Sequence, residues 1–236
     1  MIIRDVLIDW GKVKDDSYLH FIEAISGVNR ISFNSPVTFF SGENGSGKST
    51  LLEAMAISEG FNPEGGTKNY SFSTFDSHSE LYEAVTLSHC KFAKWGFFLR
   101  AESFYNVATM EENYQKMPGG RPMHLHEKSH GESFLDMLQK NFQNDSIYFL
   151  DEPEAALSPQ RQMTLLLEIN RCVKAGSQFF IVTHSPILLG FPNAEILSFD
   201  NGTIHKCSYE DTSSYQVFSM FLKDRKHMID LLFEQL

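Results

Sequence analysis

The run Gly42-Glu-Asn-Gly-Ser-Gly-Lys-Ser-Thr50 constrains this chain more than any other stretch. It follows the apolar segment Pro36-Val37-Thr38-Phe39-Phe40, which reads as a buried strand. It precedes Leu51 to Ile57, whose composition and apolar spacing are helical. Gly42, Gly47, Lys48 and Ser49 satisfy the phosphate-loop pattern G-x-x-x-x-G-K-[ST] in the strand–loop–helix setting that the pattern requires. Glycines let the backbone curl so that successive N–H groups point at phosphate oxygens, and the helix starting there adds the positive end of its dipole. Lys48 has the reach for the outer phosphates, and the Ser49 hydroxyl can ligate magnesium. A plain glycine-rich turn is the weaker reading in this context. Nucleotide binding is therefore the first expectation, with Gly42, Glu43, Asn44, Gly45, Ser46, Gly47, Lys48, Ser49 and Thr50 forming the cradle.

The other bulk properties narrow the class. A length of 236 residues is enough for one large domain or two small ones with a sizeable core, and 42% hydrophobic with 21% charged residues is ordinary for a soluble protein. A net charge of -10 argues against a broadly basic nucleic-acid footprint without excluding a local patch. Cys90, Cys172 and Cys207 are far apart, odd in number and in no C-x-x-C pair, which favours a reducing compartment over a disulfide scaffold or zinc site. The charged start Met-Ile-Ile-Arg-Asp-Val is unlike a secretory leader, and no window has the uncharged apolar length of a membrane span. A cytoplasmic protein without membrane insertion is expected.

Taken in order, residues 2–10 alternate like an edge strand, and 19–33 read as a second β element leading to Pro36. An antiparallel β layer flanking the nucleotide core follows from three strands placed before the loop. Residues 60–79 read as an extended loop, and Ser79 to Leu87 as the start of a helix. Gly96 to Glu102 reads as a core strand, residues 103–117 as helical, and Pro118-Gly-Gly-Arg-Pro122 as a break. Ser129-His-Gly-Glu-Ser133 opens a further helix. Ser146 to Leu150 and Gln178 to Val182 read as short buried strands, with a helix over 160–174 between them. Glu195 to Phe199 and Thr203 to Cys207 flank Asp200-Asn201-Gly202, a strong hairpin signal, and residues 212–236 are amphipathic helix. The runs Phe39-Phe40, Phe97-Phe98 and Phe179-Phe180 are expected to be core strands rather than a base-stacking platform.

The strand ending at Leu150 delivers Asp151 and Glu152 at its carboxyl end, where open α/β sheets bind ligands. An acidic pair after an apolar run is weak evidence alone, since it often just ends a strand. Behind a phosphate loop and ahead of a strand ending in Thr183-His184-Ser185, it has the form of a Walker B site. The first carboxylate then holds magnesium, and the second orients or deprotonates the water that attacks the γ-phosphate.

The order of these pieces resembles the ABC-type ATPases, the superfamily of transporter nucleotide-binding domains and of chromosome-maintenance and break-repair ATPases. More closely the chain looks like small bacterial AAA-family or ABC-like ATPases. The likeness covers nearly the whole chain and rests on Gly42 to Thr50, Ser129-His-Gly-Glu132, Tyr148-Phe-Leu-Asp-Glu-Pro153, Ala156-Leu-Ser-Pro159, Val182-Thr-His-Ser185, Gly96 to Ser103 and Tyr215-Gln-Val-Phe218. It implies an ABC-ATPase-like head: a mostly parallel core sheet, an antiparallel β edge, and a helical signature subdomain at roughly 80–145, within one domain over 1–236. It implies ATP and Mg2+ as cofactors, with Lys48 on the β- and γ-phosphates, Ser49 and Asp151 at the metal, Glu152 polarising water and His184 sensing the γ-phosphate. Ser129 and Gly131 would form the signature that contacts ATP bound by a second copy, with Ser158 in a loop crossing between subunits. For His184 the rival role is a core histidine, and for Ser129 a helix cap.

There are departures from the superfamily pattern. His130 replaces the first of two signature glycines, and Glu102 stands at the strand end where transporters place glutamine. Trp10 and Phe21 are the candidates for stacking on adenine, and the preference for ATP is inherited from the resemblance. The interval between Lys48 and Asp151 is too short for a long coiled-coil arm. His124, His126 and His130 lack a companion cysteine or carboxylate at ligand spacing and make a poor metal site. The expected function is an ATP-hydrolysing switch that homodimerises around two ATP molecules to control a protein effector. The alternatives are a nucleotide-gated regulatory module of a nuclease or defence system, and the ATPase subunit of a membrane transporter.

Overall fold

The computed structural model describes residues 1–68, 79–100 and 130–234, and of residues 130–133 the backbone only. Nine strands form two sheets among these residues. A three-stranded antiparallel sheet has β1 (Ile3–Ile8) in its centre, flanked by β2 (Arg30–Ser32) and β4 (Val85–His89). A six-stranded sheet runs in the order β5 (Trp95–Leu99), β6 (Ser146–Asp151), β7 (Gln178–Val182), β3 (Val37–Ser41), β8 (Glu195–Ser198) and β9 (His205–Cys207). Its first five members are parallel, and only β9 runs antiparallel, as the edge strand returning from the Asp200-Asn201-Gly202 turn.

The helices are α1 (Lys48–Ser58), the single turn α2 (Leu81–Ala84), α3 (His130–Asn141), α4 (Pro159–Lys174), the single turn α5 (Pro186–Leu189), α6 (Ser213–Lys223) and α7 (Arg225–Glu234). No helix among the described residues is long and apolar enough to cross a membrane.

Parallel strands covered on both faces need apolar side chains pointing both ways, and the paired phenylalanines supply them. Phe40, Phe98, Phe149 and Phe180 enter a core shared with α1 and the antiparallel sheet. Their neighbours Phe39, Phe97, Tyr148 and Phe179 enter a second core under α3, α4 and α5, with Phe134, Leu165 and Leu188. Rings stack between adjacent strands on each side: Phe149 on Phe180 at 5.4 Å, and Tyr148 on Phe179 at 4.5 Å. The expectation that these runs are core strands is met. Helix α1 lies between the two sheets, which explains why Leu51, Leu52, Ala54, Met55 and Ala56 are all buried around its circumference.

Three expectations are corrected. Residues 2–10 do not form an edge, because β4 pairs on the far side of β1. The third strand of the antiparallel layer therefore follows the phosphate loop instead of preceding it. The helix expected from Ser79 to Leu87 stops after one turn at Ala84. Val85, Thr86 and Leu87 then run extended against Ile8, Leu7 and Val6, where β-branched side chains suit a pleated surface. The segment 19–33 contributes only β2, after a 3-10 turn over Tyr18–Phe21. The helical reading of 103–117 and the core of the signature subdomain lie outside the described residues.

One buried side chain stitches the layers together. Gln178, the fully buried first residue of β7, accepts from the N–H groups of Ile2 and Ile3 at 2.7 and 2.8 Å, and donates to the Ile3 carbonyl at 2.9 Å. Leucine in its place would strand these backbone groups, each worth about 1–3 kcal/mol when buried without a partner. Gln178→Leu is expected to lower unfolding stability by about 2–4 kcal/mol, read from the urea midpoint, with no change in the helices around the second core.

Candidate functional site

The strand order places the carboxyl ends of β3, β7 and β6 side by side, and the chemistry-bearing residues follow directly from those three ends. After β3 the chain turns at Gly42, whose φ is 138°. A Cβ there would meet Asp200 Oδ1 at 3.0 Å and the Phe199 nitrogen at 3.2 Å, so only glycine fits. Gly47, at φ 96°, is the left-handed residue that starts α1, and a Cβ on it would stand 2.6 Å from both Ile22 and Ile25. Asp200 braces the loop from the β8–β9 turn by accepting from the Glu43 N–H at 2.9 Å.

Lys48 is buried inside the loop it belongs to. Its Nζ donates to the carbonyls of Gly42 at 2.8 Å and Glu43 at 2.6 Å. Burial pushes its ammonium below the usual lysine range, and Glu152, Asp200, Asp151 and Glu43 oppose that shift. Ser49 Oγ, one residue on, donates to Asp151 Oδ1 at 2.9 Å. This pair is all oxygen, one hydroxyl and one carboxylate. Such a hard donor set suits Mg2+, which takes one or two protein carboxylates and fills its octahedron with water and phosphate oxygens. Among the described residues no group of three or more His, Cys, Asp or Glu could hold a metal by itself.

Glu152 follows Asp151 in the left-handed region, at φ 45° and ψ 53°. A non-glycine residue held there costs of order 1–3 kcal/mol and persists only when its surroundings enforce it. The Glu152 N–H donates to the Val182 carbonyl at 3.0 Å, which ties the end of β6 to the end of β7. His184, two residues beyond Val182, brings Nε2 to 3.8 Å from Glu152 Oε1, too far for a hydrogen bond. That nitrogen has no hydrogen-bond partner among the described residues.

Sequence reasoning missed two groups. The first is Glu154. One of its oxygens accepts from the Thr183 hydroxyl at 2.7 Å, the His184 N–H at 2.7 Å and the Ser185 N–H at 3.2 Å, so it sets the backbone that carries His184. Burial holds its carboxyl above the usual range, against the lowering effect of these donors. Its position as the third acid of Asp-Glu-Pro-Glu was the available signal. The second is Asp200, which the sequence marks only as a turn former.

The described residues thus bring together Gly42 to Thr50, Asp151, Glu152 and His184. Ser129, Glu102, His124 and His126 lie outside the described residues, and Gly131 falls in the first turn of α3. Ser158 begins α4 as its exposed N-cap residue. The two aromatic candidates separate. Trp10 is partly buried, donating from its ring to the Val28 carbonyl at 2.9 Å. Phe21 is 82% exposed and lines a cavity of about 720 Å3 together with Asn44, Ser46 and Asp200 beside the loop.

A phosphate cradle at the carboxyl end of a mostly parallel sheet, with a hydroxyl–carboxylate pair beside it, defines a P-loop nucleotide-binding protein. An AAA-domain family model matches residues 19–151, more than half of the chain, and a second AAA-domain model, named also for a type IV toxin–antitoxin system, matches 125–190. The chain belongs to the AAA-domain family. No curated protein matches it significantly. Among solved structures it is similar to the SMC head domain from Thermotoga maritima, at 15% identity and a TM-score of 0.47 over 88% of this chain and 99% of that one. It is also similar to an ATP-binding cassette of an ABC transporter, at 16% identity and a TM-score of 0.45 over 92% of this chain and 98% of that one.

The grip of Glu154 yields a prediction. Glu154→Ala removes the acceptor for three donors and frees the His184 turn, so turnover of ATP should fall about 10- to 100-fold while ATP binding is kept. Glu154→Gln keeps an acceptor oxygen and should stay within a few-fold of wild type. Steady-state hydrolysis beside equilibrium nucleotide binding for the pair checks it.

Proposed function

We propose that the chain is an ATP hydrolase working as a switch, in which two copies close around two ATP molecules and hydrolysis releases them. The observation that carries this reading is the convergence of Lys48, Ser49, Asp151, Glu152 and His184 on one end of the sheet, with Ser49 Oγ 2.9 Å from Asp151 Oδ1. The N–H groups of residues 42–50 hold phosphate oxygens, and Lys48 exchanges its loop carbonyls for the β- and γ-phosphates. Ser49 and Asp151 would hold Mg2+, which neutralises phosphate charge when bound.

Glu152 accepts a proton from the attacking water as its oxygen bonds to the γ-phosphorus. The bond from that phosphorus to the β–γ bridging oxygen breaks, giving ADP and phosphate. His184 touches the γ-phosphate and registers its loss. Phe21 offers its exposed face to the adenine ring. Ser129 and Gly131 act in trans on the partner copy's γ-phosphate, as the resemblance to ABC-type ATPases implies, and the changing dimer is what an effector protein reads.

A second reading, a nucleotide-gated module of a nuclease or defence system with little turnover, draws support from the toxin–antitoxin name of the second family model. The rate of hydrolysis separates the two, since a gate needs occupancy and a cycling switch needs turnover.

Two sets of variants test the leading reading. Lys48→Ala should abolish ATP binding, and Glu152→Gln should keep binding while slowing hydrolysis by about 100-fold or more, the scale of a lost general base. Undiminished turnover in Glu152→Gln would remove that residue from the chemistry. With ATP, Glu152→Gln should sediment as a stable dimer, and adding Ser129→Arg should prevent this dimer without weakening ATP binding to each copy. Equal ATP-dependent association of both proteins would defeat the trans arrangement.

A further inference from the structure

Two side chains grip the turn that carries His184, one from each side of the Leu157–Ser158 loop. Glu154 does so from the 3-10 turn before the loop. Gln162 does so from α4, after the loop, where Leu165 and Ile169 fix the helix in the second core. The two anchors differ in what else they hold. Glu154 follows Glu152 closely and links the acidic pair to the turn, whereas Gln162 links the loop itself to the turn.

The Gln162 amide is bonded at both ends. Its Nε2 donates to the Leu157 carbonyl at 3.0 Å, and its Oε1 accepts from Ser185 Oγ at 2.6 Å. A backbone carbonyl can only accept, so it fixes which end of the amide faces it and leaves the oxygen for Ser185. Ser185 is buried, and its hydroxyl has one proton to give. That proton goes to Gln162, while the same oxygen accepts from the Ile187 and Leu188 N–H groups at 3.1 and 3.2 Å and caps α5. The backbone N–H of Gln162 donates to the Ser158 carbonyl at 2.9 Å. One residue therefore holds both loop carbonyls and the neighbour of His184. The His184 ring adds no anchor at Nε2, which has no hydrogen-bond partner among the described residues, so the ring goes where its backbone is set.

We propose that Gln162 is a positioning residue that makes the placement of His184 depend on the Leu157–Ser158 loop, so that contact at Ser158 tunes hydrolysis. Ser158 is exposed and its side chain makes no capping bond, which suits it to meet a second copy. A shift of the loop moves the Leu157 carbonyl, the Gln162 amide follows it, and Ser185 carries the displacement to His184. The link to hydrolysis rests on the reading of the site as an ATP hydrolase that closes on a partner copy.

The test has two arms. Gln162→Met keeps the length of the side chain and removes both amide bonds. Its kcat for ATP is expected to fall about tenfold, with ATP affinity within about twofold of wild type. Ser185→Ala should cost about the same, and the double variant little more than either single one, because each breaks the same chain of bonds. The second arm needs no turnover and follows the His184 Cε1–H resonance of the nucleotide-free protein by NMR. Ser158→Gly loosens the loop at little cost to the helix it begins. It should shift that resonance when Gln162 is present and leave it unmoved in the Gln162→Met background.

A Gln162→Met enzyme with the kcat of wild type overturns the proposal. So does a loss that simply adds to that of Ser185→Ala, and so does a His184 resonance that answers Ser158→Gly equally in both backgrounds. A wild type without ATP turnover counts against the hydrolase reading instead, and the resonance comparison then decides the role of Gln162 by itself.

Discussion

A parallel sheet buried on both faces has no solvent side on which to place polar residues, so its chemistry can sit only at the strand ends. The rest of this molecule follows from that constraint. Successive phenylalanines in β3, β5 and β7, with Tyr148 and Phe149 in β6, fill two cores at once. What emerges at the carboxyl ends of β3, β6 and β7 is then set by register: Asp151 lies opposite Val182, and Phe40 opposite the same residue from the other side. A phosphate loop, an acidic pair and a histidine turn are brought together by strand pairing.

How much of this was legible depended on how local each signal is. The phosphate loop, Asp151-Glu152 and Thr183-His184 are short patterns whose meaning is carried by a few neighbours, and the described structure places them at adjoining strand ends. The hairpin over Asp200-Asn201-Gly202 was readable for the same reason, since turn chemistry is local. The strand β4 was not readable, because Val85 to His89 become a strand only through pairing with β1, whose partner lies nearly the whole first third of the chain away. Gln178 and Glu154 were also missed. Each gains its role from donors remote in sequence: Ile2 and Ile3 for the first, the turn after β7 for the second. Asp200 was seen as a turn residue and not as a brace, since nothing local connects it to Glu43.

Among the described residues, four carboxylates act on the one ammonium inside the loop. Glu43, Asp151, Glu152 and Asp200 all act on Lys48, and desolvation still outweighs them. The Lys48 ammonium, bonded to the Gly42 and Glu43 carbonyls, ties the start of the loop to the helix that follows it.

The left-handed backbone of Glu152 has a consequence for mutational tolerance. Glycine takes that conformation at little steric cost and asparagine at a modest one, whereas β-branched residues resist it strongly. Substitution scans read by folding alone should therefore rank glycine there above the native residue. Scans read by activity should show the opposite order, and the distance between the two rankings measures how much stability the chain gives up to keep a carboxylate at that point.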